Sequence, residues 1–131
     1  MEPNPGEMPP EVEFHYLPTQ EQIARIYAQC DAWLSTSRSE GFNLPPLEAM
    51  ASGCPAVCAK TGRPLEIIQN GVNGHLVDQG DIEGFAEALA SIASLSEQRW
   101  RDMSDAARCA VAHPTWDESS AMFERALKQA A

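Results

Sequence analysis

Residues Ser39 to Pro55 read S-E-G-F-N-L-P-P-L-E-A-M-A-S-G-C-P, and this stretch decides the fold. Two carboxylates, Glu40 and Glu48, enclose a turn glycine (Gly41), an aromatic (Phe42), Asn43, Leu44 and a pair of prolines. The order predicts a strand end, a tight loop and a helix start. Asn43 is a preferred N-cap residue, whose side chain accepts from the free N–H groups of a first turn. Pro45 and Pro46 suit that turn, where N–H groups have no intrahelical acceptor. Glu48 is then expected near the positive end of the helix dipole. Gly53 suits a left-handed cap after the last turn, and Pro55 forbids further helix. Helix N-termini bind anions through their unpaired N–H groups. A phosphate held there, with Glu40 and Glu48 beside it to accept from hydroxyls, describes a sugar nucleotide.

The flanking sequence alternates in the same way. Met1 to Glu11 is rich in proline and acids and predicts a flexible, extended lead-in. Val12 to Leu17, V-E-F-H-Y-L, has the period of a short strand, with His15 half-buried in it. Thr19 with Gln22 forms a capping box, and Ile23, Ile26 and Tyr27 give the helix an apolar stripe. Asp31 to Thr36 predicts a second strand, buried on both faces. Pro55 to Ala59 predicts a third, and Leu65 to Ile68 a short helix. The cluster Asn70-Gly71-Val72-Asn73-Gly74 is a turn, and His75-Leu76-Val77 a fourth strand with a partly exposed His ring.

From Asp81 onward the chain is helical. Ile82, Phe85, Ala86, Leu89, Ile92 and Ala93 follow helical spacing. Ser96 caps a second helix carrying Arg99 and Met103. His113-Pro114 breaks it, and Thr115 or Asp117 starts a last one with Trp116, Met122, Phe123 and Leu127 apolar. These stripes read as core. Strand and helix in alternation imply an α/β fold, a Rossmann-like parallel sheet with flanking helices and right-handed crossovers. Ligands bind at the carboxyl ends of such strands, which is where Glu40 falls.

Composition narrows the function. The 131 residues suit one domain, here read as 12–131 behind the lead-in. Nine basic against 19 acidic residues give −10, which argues against nucleic acid and anionic membranes as partners. No apolar run approaches the ~20 residues of a membrane span, and no signal-peptide pattern opens the chain. Cys30, Cys54, Cys58 and Cys109 lack zinc-type pairing and read as buried thiols in a reducing cytoplasm. No Asp-x-Asp pair implies a metal.

E-G-F-N-L-P-P-L-E-A-M-A-S-G-C-P-A-V, Glu40 to Val57, resembles the E-x7-E signature of family 4 retaining glycosyltransferases. The resemblance extends over residues 12 to 128 and implies the two-domain GT-B fold, of which this chain would be the C-terminal half, truncated at its N-terminal side. It implies that Glu40 contacts the donor sugar in the catalytic position. Backbone N–H groups of Gly41, Phe42, Asn43 and Leu44 would meet sugar and phosphates, and Glu48 the ribose hydroxyls. Many members carry Gly where this chain has Asn43, which leaves the backbone role intact. Lys60-Thr61-Gly62-Arg63-Pro64 and the helix after it resemble the family's loop that closes on the donor, so Thr61 and Gly62 would face the cleft. Glu66 would brace the short helix. Arg38 would orient Glu40 or approach a phosphate, with a plain exposed arginine as the equal alternative.

The expected activity is transfer of a sugar from a nucleoside-diphosphate sugar to an acceptor hydroxyl with retention, without cofactor or metal. Full members also carry an N-terminal acceptor domain and a G-R-x-x-x-x-K-G motif whose cations neutralise the diphosphate; neither occurs here. The chain is therefore expected to be inactive alone and to self-associate through uncovered surfaces. Membrane contact is assigned only to the missing domain. A non-catalytic sugar-nucleotide-binding or assembly module, and a sugar-nucleotide epimerase on the same fold, are the alternatives.

Overall fold

The structure is a computed structural model that describes residues 6, 8–113 and 115–130. The expected lead-in falls mostly outside the described residues, as does Pro114, the expected helix breaker. Nine elements follow in chain order: α1 (Gln20–Ala28), β1 (Trp33–Ser35), α2 (Leu44–Ala51), β2 (Ala56–Ala59), α3 (Pro64–Ile67), β3 (Gly74–Val77), α4 (Ile82–Ala93), α5 (Glu97–Val111) and α6 (Trp116–Ala130).

The three strands form a parallel sheet in the order β1-β2-β3, with Trp33 beside Ala56 and Ala59 beside Val77. β2 is central and wholly buried. Its alternating side chains supply two cores, as the pleat requires. Val57 and Ala59 pack with Val77, Phe85, Ala88, Ile92 and Met103 on one face. Ala56 and Cys58 pack with Met50, Ile68 and Ala107 on the other. α5 reaches both, through Met103 and Ala107. Met50 is fully buried, so Met50→Ala would cost about 2–5 kcal/mol through lost transfer energy and a cavity.

The helix starts follow their side-chain chemistry. Thr19 and Gln22 form a reciprocal box, with the Thr19 N–H donating to Gln22 Oε1 at 2.8 Å. Asp81 and Ser96 accept from the N–H groups of Gly84 and Arg99. The sheet and all helices therefore stand where the alternation of patterns puts them, apart from three departures.

First, the sheet has three strands, not four, because residues 12–17 form none. A strand needs a ladder partner for its backbone groups. Here the Val12 N–H turns back to the Pro9 carbonyl, and Leu17 takes φ 45, in the left-handed region. Val12, Phe14 and Tyr16 remain about half exposed, and His15 is an exposed loop residue beside Glu13 rather than half-buried. Second, β1 is shorter than expected and not buried on both faces. It pairs on one side only, and Leu34 is 44% exposed. Third, the apolar stripe of α6 is not core. Trp116, Met122, Phe123 and Leu127 are all exposed, and α6 buries no residue. Periodicity encodes an apolar face, but the face is buried only when another element lies against it.

The cysteines divide. Cys54 and Cys58 are buried, Cys30 is partly buried and Cys109 is exposed, against the expectation that all four are buried. Burial pushes the Cys54 and Cys58 thiols up to about 12, so both remain protonated and unreactive.

Candidate functional site

The site is assembled by the loops that leave the carboxyl ends of β1 and β2. The first runs from Ser35 to α2 and contains Glu40 to Asn43; the second contains Lys60 to Arg63. They meet. The Arg63 N–H donates to the Phe42 carbonyl at 3.0 Å. Gly62 sits at φ +62, and a Cβ there would lie 3.2 Å from the Phe42 carbonyl oxygen, 3.3 Å from Asn43 Cβ and 3.4 Å from Glu40 Cβ. Only glycine fits this combination of backbone and space without strain. Thr61, beside it, is buried, and its N–H turns to the Ala59 carbonyl at 2.7 Å. Gly62 thus lies close against the loop that carries Glu40.

Asn43 is the N-cap of α2, but not by the expected chemistry. It adopts φ 64, ψ 67, and its side chain makes no cap hydrogen bond. The amide is buried and directs Nδ2 towards Ser35 Oγ at 3.4 Å. A left-handed backbone is what glycine adopts freely. Asparagine is the other residue that tolerates it. The loop-to-loop contact and this conformation are what sequence reasoning missed; the tolerance of asparagine for a left-handed backbone was the available signal.

The start of α2 is unusual as an anion site. Leu44 is its first residue, and the next two are prolines without N–H. Two of the donors that a helix start normally offers are therefore missing. What remains is a run of N–H groups on Gly41, Phe42, Asn43 and Leu44, none of which has a hydrogen-bond partner among the described residues. Phe42 and Leu44 are about half exposed, so the run is open to solvent. Glu48 lies in the second turn, not the first; no acid occupies the first turn of α2. Both Glu40 and Glu48 are exposed, one on each side of the run.

The opposite end of α2 is closed. Gly53 has φ +86; its N–H donates to the Met50 carbonyl and the Cys54 N–H to the Ala49 carbonyl, both at 2.9 Å. These are the paired bonds of a Schellman cap. The Gly53 carbonyl accepts from Ser104 Oγ at 2.6 Å, which ties the cap to α5.

The cations near the site are few. Arg63 is paired with Glu66 one turn along α3, the bracing expected of that acid. Arg38 is exposed and makes no ion pair with Glu40 among the described residues. His75 is partly exposed at the far strand, where its ring contacts Ser91 Oγ at 3.2 Å, and burial lowers its pKa. No group of three or more His, Cys, Asp or Glu side chains among the described residues is arranged to hold a metal. No helix of the described residues is long and apolar enough to cross a membrane.

The model of the family described as Glycosyl transferases group 1 matches residues 7–109, the greater part of the chain. The chain belongs to that family. A GDP-mannose-dependent alpha-mannosyltransferase of Corynebacterium glutamicum is 34% identical over 113 residues, covering 85% of this chain and 27% of that protein. The C-terminal domain of LpcC, a glycosyl transferase group 1 family protein of Francisella tularensis, superposes with a TM-score of 0.66 at 30% identity, covering 75% of this chain and 50% of that one. HepE of Anabaena, in complex with UDP-glucose, superposes at 0.59 and 29% identity, over 69% of this chain and 25% of that one. The chain spans 10%, 25% and 27% of the length of three curated relatives it matches. The three-stranded parallel sheet with flanking helices is thus the α/β arrangement of GT-B glycosyltransferases. The candidate site lies at the carboxyl ends of the strands of this group 1 domain.

Proposed function

We propose that this group 1 domain, residues 12–131 behind the lead-in 1–11, is the donor-binding part of a glycosyltransferase. The parent enzyme moves a sugar from a nucleoside-diphosphate sugar to an acceptor hydroxyl with retention of configuration. The observation that carries this is the open run of N–H groups from Gly41 to Leu44, set between two exposed carboxylates. In the order of the chain, Glu40 takes the donor sugar, the N–H run takes the diphosphate, and Glu48 takes the ribose. N–H donors fixed in advance stabilise charge that grows as the diphosphate leaves. Gly62 and Thr61 hold the Glu40 loop in place. The relative's complex with UDP-glucose supports the ligand class. No cofactor or metal enters this reading.

A diphosphate carries about two negative charges, against a chain at −10 with Arg63 already engaged by Glu66. The missing cations belong, in this reading, to an earlier part of the donor-binding domain and the acceptor site to an N-terminal domain of the same enzyme, through which any membrane contact of this cytoplasmic protein also runs. An apolar cleft of about 750 Å³, lined by Phe42, Leu44, Ile67, Trp116 and Met122, fits a surface that such a domain covers. Without it the chain is expected to be inactive and to self-associate.

The test is calorimetric titration with UDP, GDP and their sugars, paired with a transfer assay and sedimentation. Binding no tighter than about 1 mM, without transfer, is the expected result. Micromolar binding with transfer by these 131 residues would contradict the incomplete site, and no binding of any nucleotide at 10-fold that concentration would contradict the ligand class.

A further inference from the structure

Arg63 is tied to the loop that carries the open N–H run. Its own N–H donates to the Phe42 carbonyl at 3.0 Å, and Gly62 before it packs against Glu40 and Asn43. The backbone of Arg63 is therefore fixed beside that run. Its side chain lines the same cleft as Phe42 and Leu44 and is only 28% exposed. The acid that pairs with it is loosely held. Glu66 belongs to the short helix α3, is 66% exposed, and its carboxylate has no other partner among the described residues. An exposed ion pair three positions apart contributes little. Lys60, the other cation of this loop, is paired with Asp78 at 2.8 Å.

We propose that Arg63 is a phosphate-binding residue of the donor site: its guanidinium leaves Glu66 and takes phosphate oxygens when a nucleoside diphosphate binds. The proposal rests on the reading of the Gly41 to Leu44 run as the diphosphate site. A guanidinium offers the same fork of parallel N–H donors to a carboxylate and to a phosphate. Glu66 therefore fills, in the ligand-free chain, the place a phosphate would take. The exchange turns side chains only, because the Arg63 N–H stays on the Phe42 carbonyl. A phosphate between the run and the guanidinium meets donors from both loops, and the positive charge offsets part of the repulsion from a chain at −10. Glu66 then has an effect beyond bracing α3. It competes with the ligand for Arg63 and lowers the affinity of the empty site. The chemical class selected is the nucleoside diphosphate over its nucleoside.

The experiment is ligand-observed NMR titration of the whole chain with UDP and GDP, and with uridine and guanosine, which lack the phosphates. Wild type, Arg63→Gln, Glu66→Gln and the double variant are compared, with a urea melt of each. The expected result is that Arg63→Gln weakens both diphosphates about tenfold, the loss of a hydrogen bond to a charged group. Glu66→Gln strengthens them about threefold, through release of an exposed ion pair. The double variant binds no tighter than Arg63→Gln, and the nucleosides bind every variant as they bind wild type. Arg63→Lys, which keeps the charge without the fork, serves in place of Arg63→Gln if that variant does not fold, and the same outcomes decide. Unchanged diphosphate affinity in Arg63→Gln, or no gain in Glu66→Gln, would overturn this inference and leave the assignment of the run standing. A gain from Glu66→Gln that persists without Arg63 would reduce Glu66 to general charge repulsion and overturn it too. If wild type binds UDP and GDP no better than uridine and guanosine, the reading of the run fails, and the inference with it.

Discussion

The two ends of α2 are finished in opposite ways. At the C-terminal end Gly53 and Cys54 return their N–H groups to the helix, and Ser104 takes the remaining carbonyl. α5 packs over that end. At the N-terminal end two prolines contribute no donors, Asn43 is left-handed, and four consecutive N–H groups have no partner among the described residues. A single short helix therefore has one end completed by the protein and one end whose N–H groups face solvent. Backbone groups are normally satisfied in a folded chain. The solvent-facing donors at one end and the closed cap at the other are what the proposed reading interprets as a ligand end and a structural end.

Substitutions at the two ends should separate binding from stability. Glu48→Ala is expected to weaken nucleotide binding by roughly 1.5–3 kcal/mol, the range for a hydrogen bond to a charged group. Its unfolding free energy should move by less than about 0.5 kcal/mol, as for an exposed site. Titration calorimetry and a urea melt read the two quantities. A loss of stability with unchanged affinity would invert the roles of the two ends.

Gly53→Ala should do the reverse, at about 1–2 kcal/mol of stability. The residue sits at φ +86, and a Cβ there would lie 2.3 Å from the Arg108 guanidinium, which must swing away. Nucleotide affinity should not change. A neutral urea melt would mean that the closed end does not depend on the left-handed cap. Ser104→Ala, which leaves the Gly53 carbonyl buried without a donor, is expected to cost about 1 kcal/mol. It is measured by the same melt, and a full loss of folding or none at all would show that α5 is not held to the cap by this bond.

The sequence carried the position of these ends further than their chemistry. Gly53, Pro45, Pro46 and the two carboxylates are readable because each residue type has a narrow backbone or charge preference. The closeness of Gly62 to the Glu40 loop is not in any single residue's preference and shows only in the fold. Asn43 was placed correctly as the N-cap and assigned the wrong role, since its side chain and its left-handed backbone compete for the same position and the backbone won. Strand 12–17 and the buried face of α6 failed for a shared reason. Alternation and helical spacing report what a segment could bury, and neither reports whether a neighbour is there to cover it. Trp116 and Phe14 are therefore exposed despite fitting their patterns.

The start of α6 supplies a smaller comparison with the open start of α2. There the Thr115 N–H donates to Glu118 Oε2 at 2.6 Å, and the Glu118 N–H to Thr115 Oγ1 at 3.3 Å, a reciprocal box. His113 Nδ1 adds a contact at 2.9 Å. The His113 hydrogen bond, then the Thr115 N–H, hold the Glu118 carboxyl at about 2. A depressed acid contributes stability above its unfolded pKa, and that contribution is lost as pH falls through the folded value. The loss should therefore begin below about 4.5 and be complete below about 2. The effect on the whole fold is small because the group is exposed. Carbon-detected NMR should find the Glu118 midpoint near 2, moving up towards the ordinary value in His113→Ala. An unchanged midpoint in that variant would remove His113 from the box.

The central claim is that the open start of α2 receives the diphosphate of a sugar nucleotide. Amide-resolved NMR of the chain during titration with UDP, GDP and UDP-glucose tests it most directly. The account predicts that the largest shift changes fall on the N–H groups of Gly41, Phe42, Asn43 and Leu44, with Glu48 following and with Gly53 and Cys54 unmoved. Changes centred elsewhere on the sheet, or equal changes at both ends of α2, would contradict it.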